Sequence, residues 1–388
     1  MVHDLCEDLL IVEIFSRLPS KSLLRFRSVS KSLCACIGSP DFIRLHNLRS
    51  PKKVMIIHAH SYSKKTGPTL YTKYIHTLHS EGQLLSDNPY VGITPVNGPS
   101  SLRKPFYHIF GSCNGIICLH EYYSHKRILC LWNPSIRRKV RIRDRPFLGH
   151  CWVYGFGFDP IIDDYKLLRI DKDNYSSFVY TLKTRTWRKI ASPTGKFLFV
   201  GDHLSRFNLF NGLLHWAVKK RYRYVLHYYI MTFDLSSEVF STIELPKPSW
   251  GIDEVTIIKG CLGVISSYKH DNQSCIFSTW IWVRKEYNNN TAASWSVAYK
   301  LDTNPFKRVL QITPNDELLC YSFYKGIVVY NPETREQWRL ADLSDSSRVC
   351  DMITCVDSLE LLDMKTSSPK GSKSGGKKRS RTSEIIQL

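Results

Sequence analysis

One aromatic-rich unit returns about every fifty residues, and that recurrence does most to limit what the chain can fold into. A run of apolar and aromatic residues is followed by a polar turn, and a bulky residue arrives seven or eight positions after the anchor. Leu131-Trp132-Asn133-Pro134-Ser135 leads to Val140, and Val179-Tyr180-Thr181-Leu182-Lys183-Thr184 leads to Trp187. Thr232-Phe233-Asp234-Leu235-Ser236-Ser237 leads to Phe240, and Val329-Tyr330-Asn331-Pro332-Glu333-Thr334 leads to Trp338. Weaker copies stand at Tyr74-Ile75-His76 and at Trp280-Ile281-Trp282, the latter with a longer loop before Trp295. Successive anchors, at 74, 132, 180, 233, 282 and 330, lie 48 to 58 residues apart. Self-similarity at such a period means stacked units, none of which buries its apolar face alone.

A second element precedes most anchors, a glycine set before an apolar run. It occurs in Cys113-Asn114-Gly115-Ile116-Ile117-Cys118-Leu119, Phe210-Asn211-Gly212-Leu213-Leu214-His215-Trp216, Gly260-Cys261-Leu262-Gly263-Val264-Ile265 and Tyr324-Lys325-Gly326-Ile327-Val328-Val329. Asn-Gly suits a two-residue hairpin because both positions tolerate positive φ. From about residue 52 to 340, short Val, Ile, Tyr, Trp and Phe runs alternate with Gly, Pro, Asn and Asp turns. That is an all-β texture. Period and texture together predict an all-β, kelch-like β-propeller domain over 52–363, with six blades as the best fit. The anchors Trp132, Tyr180, Phe233 and Tyr330 are expected in the blade cores.

Residues 4–47 read differently. Leu10, Ile14 and Leu18 recur at i, i+4 and i+8, one face of a helix. Pro19 stops that helix, and Ser20 is placed to cap a second one running to Phe26. Phe26, Val29, Leu33 and Ile37 again share one helical face, Gly38-Ser39-Pro40 ends it, and Asp41-Phe42-Ile43 begins a last turn. The expectation is a small all-α unit of three short helices, which makes the whole chain an α+β multidomain protein. A unit so small cannot hide these side chains internally, so it needs a neighbouring domain or a partner.

The last segment, 364–388, carries seven basic residues and one acid, Glu384, and its run from Lys365 to Arg381 has no apolar content to bury. It is expected to be disordered. Lys377, Lys378, Arg379 and Arg381 form a candidate nuclear-import cluster, the plain alternative being a solvated tail. Over the full 388 residues, 54 Lys and Arg face 34 Asp and Glu, a net charge of +20. That balance favours acidic partners or nucleic acid without choosing between them.

Twelve cysteines are scattered from Cys6 to Cys355 with no Cys-x-x-Cys pair, mostly in apolar runs such as Ile116-Ile117-Cys118-Leu119. They read as small buried hydrophobes, with neither a disulfide framework nor a zinc site. No apolar run reaches bilayer length, and Met1–Asp8 carry acid where a secretion leader carries base. The expected setting is therefore cytoplasmic and/or nuclear, away from membranes.

The stretch Leu9 to Leu33 resembles an F-box. Arg17-Leu18-Pro19-Ser20-Lys21-Ser22-Leu23-Leu24-Arg25-Phe26 followed by Val29-Ser30-Lys31-Ser32 carries the resemblance, and Ser39-Pro40-Asp41-Phe42-Ile43 with His46 matches the end of the plant form. The body resembles the F-box-associated interaction domain of plant F-box proteins. Gly111 to Leu119, Trp132-Asn133-Pro134-Ser135, Tyr154-Gly155-Phe156-Gly157-Phe158-Asp159-Pro160 and Asp163 to Ile170 fall in that family's order. The resemblance spans roughly residues 4 to 340 and sets the bounds 4–47 for the F-box.

The resemblance implies a non-catalytic substrate receptor of a Skp–cullin–F-box (SCF) ubiquitin ligase. The F-box would bind a Skp-type adaptor, and through it the cullin–RING ligase, while the larger domain would bind an unknown protein marked for degradation. The implied adaptor face comprises Leu5, Leu9, Leu10, Ile14, Leu18, Pro19, Leu23, Val29, Lys31 and Leu33. Two departures stand out: Leu5 is followed by Cys6 where the family has Pro, and Leu33 stands where it has Trp. Losing the helix-start Pro and the larger anchor predicts weaker docking, each by about a kilocalorie per mole or more. The alternative reading is a propeller binding module that docks weakly or not at all.

Catalytic templates fail. There is no Gly-x-Ser-x-Gly elbow, no phosphate-binding glycine loop with Lys-Ser/Thr and no His-Glu-x-x-His, and Gly155-x-Gly157 leads into Phe158-Asp159-Pro160 where a dinucleotide site needs a helix start. No cofactor is expected. Asp163-Asp164 reads as a turn and His215 as a satisfied strand histidine. Two basic stretches stand out as candidate substrate contacts, Arg137, Arg138 and Lys139 in one and Lys219, Lys220 and Arg221 in the other. Edge protection by cations is the plain alternative. A nucleic-acid partner is the weaker expectation.

Overall fold

The computed structural model of the chain describes residues 10–63, 70–80, 94–96, 106–123, 126–142, 152–200, 207–245, 251–269, 277–287, 295–301, 308–312, 316–322, 326–339 and 347–363. Leu5, Leu9 and the basic tail with Lys377, Lys378, Arg379 and Arg381 lie outside these residues.

Among the described residues the strands pair into six antiparallel sheets. The first joins β1 (Lys52–Ser63), β2 (Leu70–Ser80) and β3 (Thr94–Val96) to the last strand of the chain, β25 (Ser347–Val356). The second holds β4 (Phe106–Cys113), β5 (Ile116–Tyr123), β6 (Lys126–Asn133) and β7 (Arg138–Ile142). The third holds β8 (Trp152–Asp159), β9 (Asp164–Asp171), β10 (Ser177–Thr181) and β11 (Thr186–Ile190). The fourth has β12 (Leu198–Phe199), β13 (Asn208–Phe210), β14 (Leu213–Tyr222), β15 (Val225–Asp234) and β16 (Phe240–Glu244). The fifth and sixth are β17 (Glu254–Ile258) to β20 (Trp295–Leu301) and β21 (Arg308–Ile312) to β24 (Gln337–Arg339), with β18 (Cys261–Lys269), β19 (Phe277–Arg284), β22 (Leu318–Ser322) and β23 (Gly326–Tyr330) between.

The sheets form a ring. β25 touches β4, β4 touches β8, β8 touches β14, β13 and β14 touch β17, β17 touches β21, and β21 touches β25. β25 also pairs β1 from Lys52↔Val356 to His60↔Ser347, so the two ends of the ring domain close it within one sheet. Radial repetition of this kind leaves each sheet only short, protected edges.

The six anchor residues fall one to a sheet and always on its third strand: Tyr74 on β2, Trp132 on β6, Tyr180 on β10, Phe233 on β15, Trp282 on β19 and Tyr330 on β23. Trp132, Tyr180, Phe233 and Tyr330 are buried. The bulky residues that follow five of the anchors, Val140, Trp187, Phe240, Trp295 and Trp338, are on the fourth strand of their sheets. Tyr180 opposes Trp187 and Phe233 opposes Phe240, with ring centroids 5.3 and 4.7 Å apart. The glycine element is less regular than the anchors. Gly115, Gly212 and Gly260 sit between first and second strands at φ near +75°, whereas Gly326 opens β23 between the second and third.

Charged groups also tie sheets together. Buried Lys166 on β9 donates to the Leu235 carbonyl of the fourth sheet at 2.7 Å and pairs with Asp159 and Glu238, each at 2.7 Å. Buried Arg169 lies over Trp152, Phe178 and Trp187 at 4.4, 5.0 and 4.6 Å, which offsets part of its desolvation. Cys113, Cys118, Cys130, Cys320 and Cys355 are buried thiols outside any disulfide, and burial pushes the Cys113 and Cys355 thiols up to about 12.

The N-terminal unit departs from the regular helices expected of it. Leu10–Ile14 is a π turn and Phe15–Arg17 a 3-10 turn. The Val12 carbonyl is taken by the Ser16 hydroxyl and the Arg49 guanidinium, so it does not serve an ordinary helical ladder. Three α-helices follow: α1 (Ser20–Phe26), α2 (Lys31–Ile37) and α3 (Pro40–Arg49). The expected face through Phe26, Val29, Leu33 and Ile37 is split. Ser30 accepts from the Leu33 amide at 3.1 Å and caps a new helix, so Val29 lies in the turn at 70% exposure while Ile37 is buried. No helix among the described residues is long and apolar enough to cross a membrane.

Candidate functional site

The helical unit is welded to one end of the ring by a segment from the far end of the chain. Phe15, Leu23, Ile37 and Phe42 of the unit form one apolar cluster with Ile136 of the β6–β7 turn and with Leu359 and Leu362, just beyond β25. Polar bonds frame this seam. The Ser20 amide donates to Asp357 Oδ2 at 3.1 Å, so the carboxylate at the α1 N-terminus comes from 337 residues away. Ser20 itself, expected as the cap, is the first helical residue and makes no side-chain cap bond.

Arg27 pairs with Asp363 at 3.0 Å, and Arg44 pairs with Asp163 of the β8–β9 turn at 2.8 Å. Asn47 Nδ2 donates to Glu360 Oε1 at 2.9 Å, and burial pushes the Glu360 carboxyl up. Asn133 spans the rest: its Nδ2 donates to the Ser358 and Glu360 carbonyls at 3.0 and 2.9 Å, and its Oδ1 accepts from the Ser135 amide. Asn133-Pro134 thus serves as more than a turn former.

Gly115 is where this segment comes closest to the ring. Its φ is +76°, and a Cβ built there would stand 2.4 Å from Ser358 Cβ and 2.6 Å from the Val356 carbonyl oxygen. Asn114 holds the same turn by donating to the Tyr165 hydroxyl at 3.0 Å.

This seating sorts the ten expected docking residues. Leu23 is fully buried in the seam and presents no surface to a partner, because the ring's own Ile136, Leu359 and Leu362 cover it. Leu18 and Leu33 are half-buried and pack against the same cluster. Ile14, Pro19, Val29 and Lys31 are exposed, Ile14 at 51%. Leu10 belongs to the π turn. His46 is buried under Leu18, with Nε2 2.9 Å from the Leu18 carbonyl.

The two basic candidates lie at opposite ends of the ring. In an antiparallel four-stranded sheet, the turns between strands one and two and between three and four share an end. Arg137 and Arg138, with Lys139 behind them, belong to a three-to-four turn, next to the seam residue Ile136. Lys219, Lys220 and Arg221 climb toward a two-to-three turn and so point to the end away from the helices.

The titratable groups singled out in the sequence are occupied structurally. Asp164 accepts from the Tyr165 and Lys183 amides at 2.7 and 2.9 Å. His215 is buried with Nε2 2.6 Å from the Tyr287 hydroxyl and Nδ1 3.2 Å from the Asn208 carbonyl. Burial lowers its pKa to about 4. Among the described residues no three His, Cys, Asp or Glu side chains are grouped to hold a metal ion.

The sequence reading missed Ile136, Asp357, Leu359, Glu360, Leu362 and Asp363. A signal for them exists: Leu359-Glu360-Leu361-Leu362 is the last apolar run before a tail with almost nothing to bury.

A small helical unit seated on the loop end of a closed ring of sheets defines a two-part protein, a docking unit with a propeller-like receptor. Comparison with known proteins gives the family. The F-box domain matches residues 3–45, and the F-box associated beta propeller domain matches residues 79–313. The second match covers more than half of the chain, which belongs to this family of plant F-box proteins.

Similar proteins include an F-box/kelch-repeat protein of Arabidopsis thaliana, 28% identical over 337 residues, covering 82% of this chain and 85% of that one. The F-box protein CPR1 of Arabidopsis thaliana is 27% identical over 324 residues, covering 75% of this chain and 71% of that one. An F-box domain implies binding to a Skp-type adaptor, and proteins of this family are typically non-catalytic adaptors.

Proposed function

We propose that the chain is the substrate-recognition subunit of an SCF ubiquitin ligase, with the F-box on the adaptor and the far end of the ring on a target protein bound for ubiquitination and degradation. The observation that carries this reading is the seam itself. It fastens the helices to the end bearing the one-to-two and three-to-four turns and leaves the opposite loop end uncovered by them. A receptor needs this polarity, because a rigid seat fixes the distance and angle at which a target is presented to the rest of the ligase.

In this reading the adaptor contacts come from the exposed Ile14, Val29 and Lys31 with Pro19, while Leu18, Leu23 and Leu33 support them from the seam. The test is co-purification of the full chain with a plant Skp-type adaptor beside an Ile14→Asp/Val29→Asp variant. Both positions are exposed, so the variant leaves the seam intact. Wild type is expected to co-elute and the variant to lose co-elution. If folded wild-type protein does not co-elute at micromolar concentration, the ligase reading is lost and a free-standing binding module remains.

A further inference from the structure

In the fourth sheet, β14 and β15 run together from Leu213↔Asp234 to Tyr222↔Val225. Their outer neighbours stop short. β12 pairs β14 at Leu198↔Lys219 and Phe199↔Val218, and β16 pairs β15 from Tyr229↔Glu244 to Phe233↔Phe240. Beyond those points the hairpin continues as a two-stranded ribbon. Among the described residues, Lys220–Tyr222 and Val225–Tyr228 have no strand on their outer sides.

The ribbon is also chemically distinct. From Leu213 to Phe233 there is no Asp or Glu, while Lys219, Lys220, Arg221 and Arg223 are crowded near its tip. Among the described residues none of the four enters an ion pair; Lys220 lies over the Phe197 ring at 5.7 Å. Large side chains stand exposed between them: Tyr224 at 94%, Tyr222 at 67%, Val225 at 58% and Leu226 at 40%. Register sets base beside apolar surface on each face, Arg221 opposite Leu226 and Lys220 opposite His227, with Tyr222 opposite Val225.

We infer that this ribbon is the target-binding element, and that it takes an acidic, extended protein segment as an added strand along the edge that no strand pairs among the described residues. The inference rests on the substrate-receptor reading. An unpaired strand edge offers a row of backbone donors and acceptors, which an extended peptide satisfies by strand addition. Cations along such an edge repel a second copy of the same ribbon and attract an acidic segment, so the same side chains that deter self-pairing select the partner. The exposed Tyr and Leu side chains supply apolar contact for alternate residues of that segment. Nucleic acid would answer the charge and the aromatic rings but has no use for the backbone edge.

The test uses the full chain and fluorescence anisotropy with three probes: a short fluorescein-labelled peptide of alternating Glu and Val, the same peptide with Pro in place of every Val, and a single-stranded DNA of equal charge. The Glu/Val peptide is expected to bind, and the Pro peptide to bind about tenfold more weakly or worse, because Pro donates no backbone bond. Lys220→Glu/Arg221→Glu/Arg223→Glu is expected to lose about tenfold or more, while Lys220→Arg/Arg221→Lys/Arg223→Lys retains binding.

Equal binding of the two peptides overturns strand addition, and so does a reversal variant of unchanged affinity. DNA bound more tightly than the peptide and lost in the reversal makes the ribbon a nucleic-acid site. Should the reversal lower the melting temperature, the peptide pair on wild-type protein still decides. Adaptor co-elution from the same preparations separates the two readings. Its loss with peptide binding intact removes the ligase assignment alone, and the converse removes this inference alone.

Discussion

Replacing Gly115 by Ala isolates the contact that holds the seam in place. Two costs arise. The first is conformational, since φ is +76° and an L side chain in that region costs about 1 kcal/mol. The second is steric, because the new methyl would stand 2.4 Å from Ser358 Cβ and 2.6 Å from the Val356 carbonyl oxygen. Neither is the free end of a flexible side chain, so the 356–358 segment must move. Overpacking of this sort costs about 1–3 kcal/mol.

Gly212 is the internal control. It occupies an equivalent Asn-Gly turn at φ +75°, with nothing within 4 Å of its built Cβ. Gly212→Ala is therefore expected to lose about 1 kcal/mol and Gly115→Ala about 2–4 kcal/mol, the difference being the contact alone. Urea denaturation of the full chain, with the slopes compared as well as the midpoints, reads both. Limited proteolysis adds a second view, since moving residues 356–358 disturbs Asp357 at the start of α1 and the carbonyls held by Asn133. Equal losses in the two variants would refute the reasoning, for they would mean that the last strand's exit does not press on this turn.

Leu23→Ala removes a fully buried side chain from the seam and is expected to destabilise the chain by about 2–5 kcal/mol, measured by the same denaturation; a loss below about 1 kcal/mol would place Leu23 on a free surface instead. His215 predicts a pH dependence. Its pKa is held at about 4 against an ordinary 6.5, chiefly by burial, so the unfolded chain takes up this proton first as the pH falls. The folded state keeps its full margin above pH 6.5 and loses up to about 3 kcal/mol as the pH drops toward 4, a slope that His215→Asn should flatten relative to wild type. Parallel stability profiles for the two proteins between pH 7 and 4.5 would remove the assignment.

The sequence by itself determined the repeat and the all-β character of the ring. An aromatic anchor recurs on the third strand of each sheet, and in four of them, at Trp132, Tyr180, Phe233 and Tyr330, it is buried, so its trace survives in one dimension. Of the helical unit, only α1 was legible as it stands, between Pro19 and Phe26; the first expected helix is a π and a 3-10 turn, and the turn expected from Asp41 runs on as α3. Ser30 and Ser39 cap the two helices that follow, and Ser30 divides a face that spacing alone made continuous. The docking face was legible only as a set of apolar residues.

Which of those residues stay exposed was decided by the tertiary structure. Leu23 and Val29 look alike as apolar members of one helical stretch. The first vanishes under Leu359 and Leu362 and the second stands free in a turn, because a segment more than three hundred residues later folds back between helices and ring. The same holds for the two basic stretches. Both are cations among apolar residues, and strand order alone puts Arg137 beside the F-box and Arg221 at the far end. Local pattern reports what a side chain must do with water, whereas ring closure sets which distant backbone covers it.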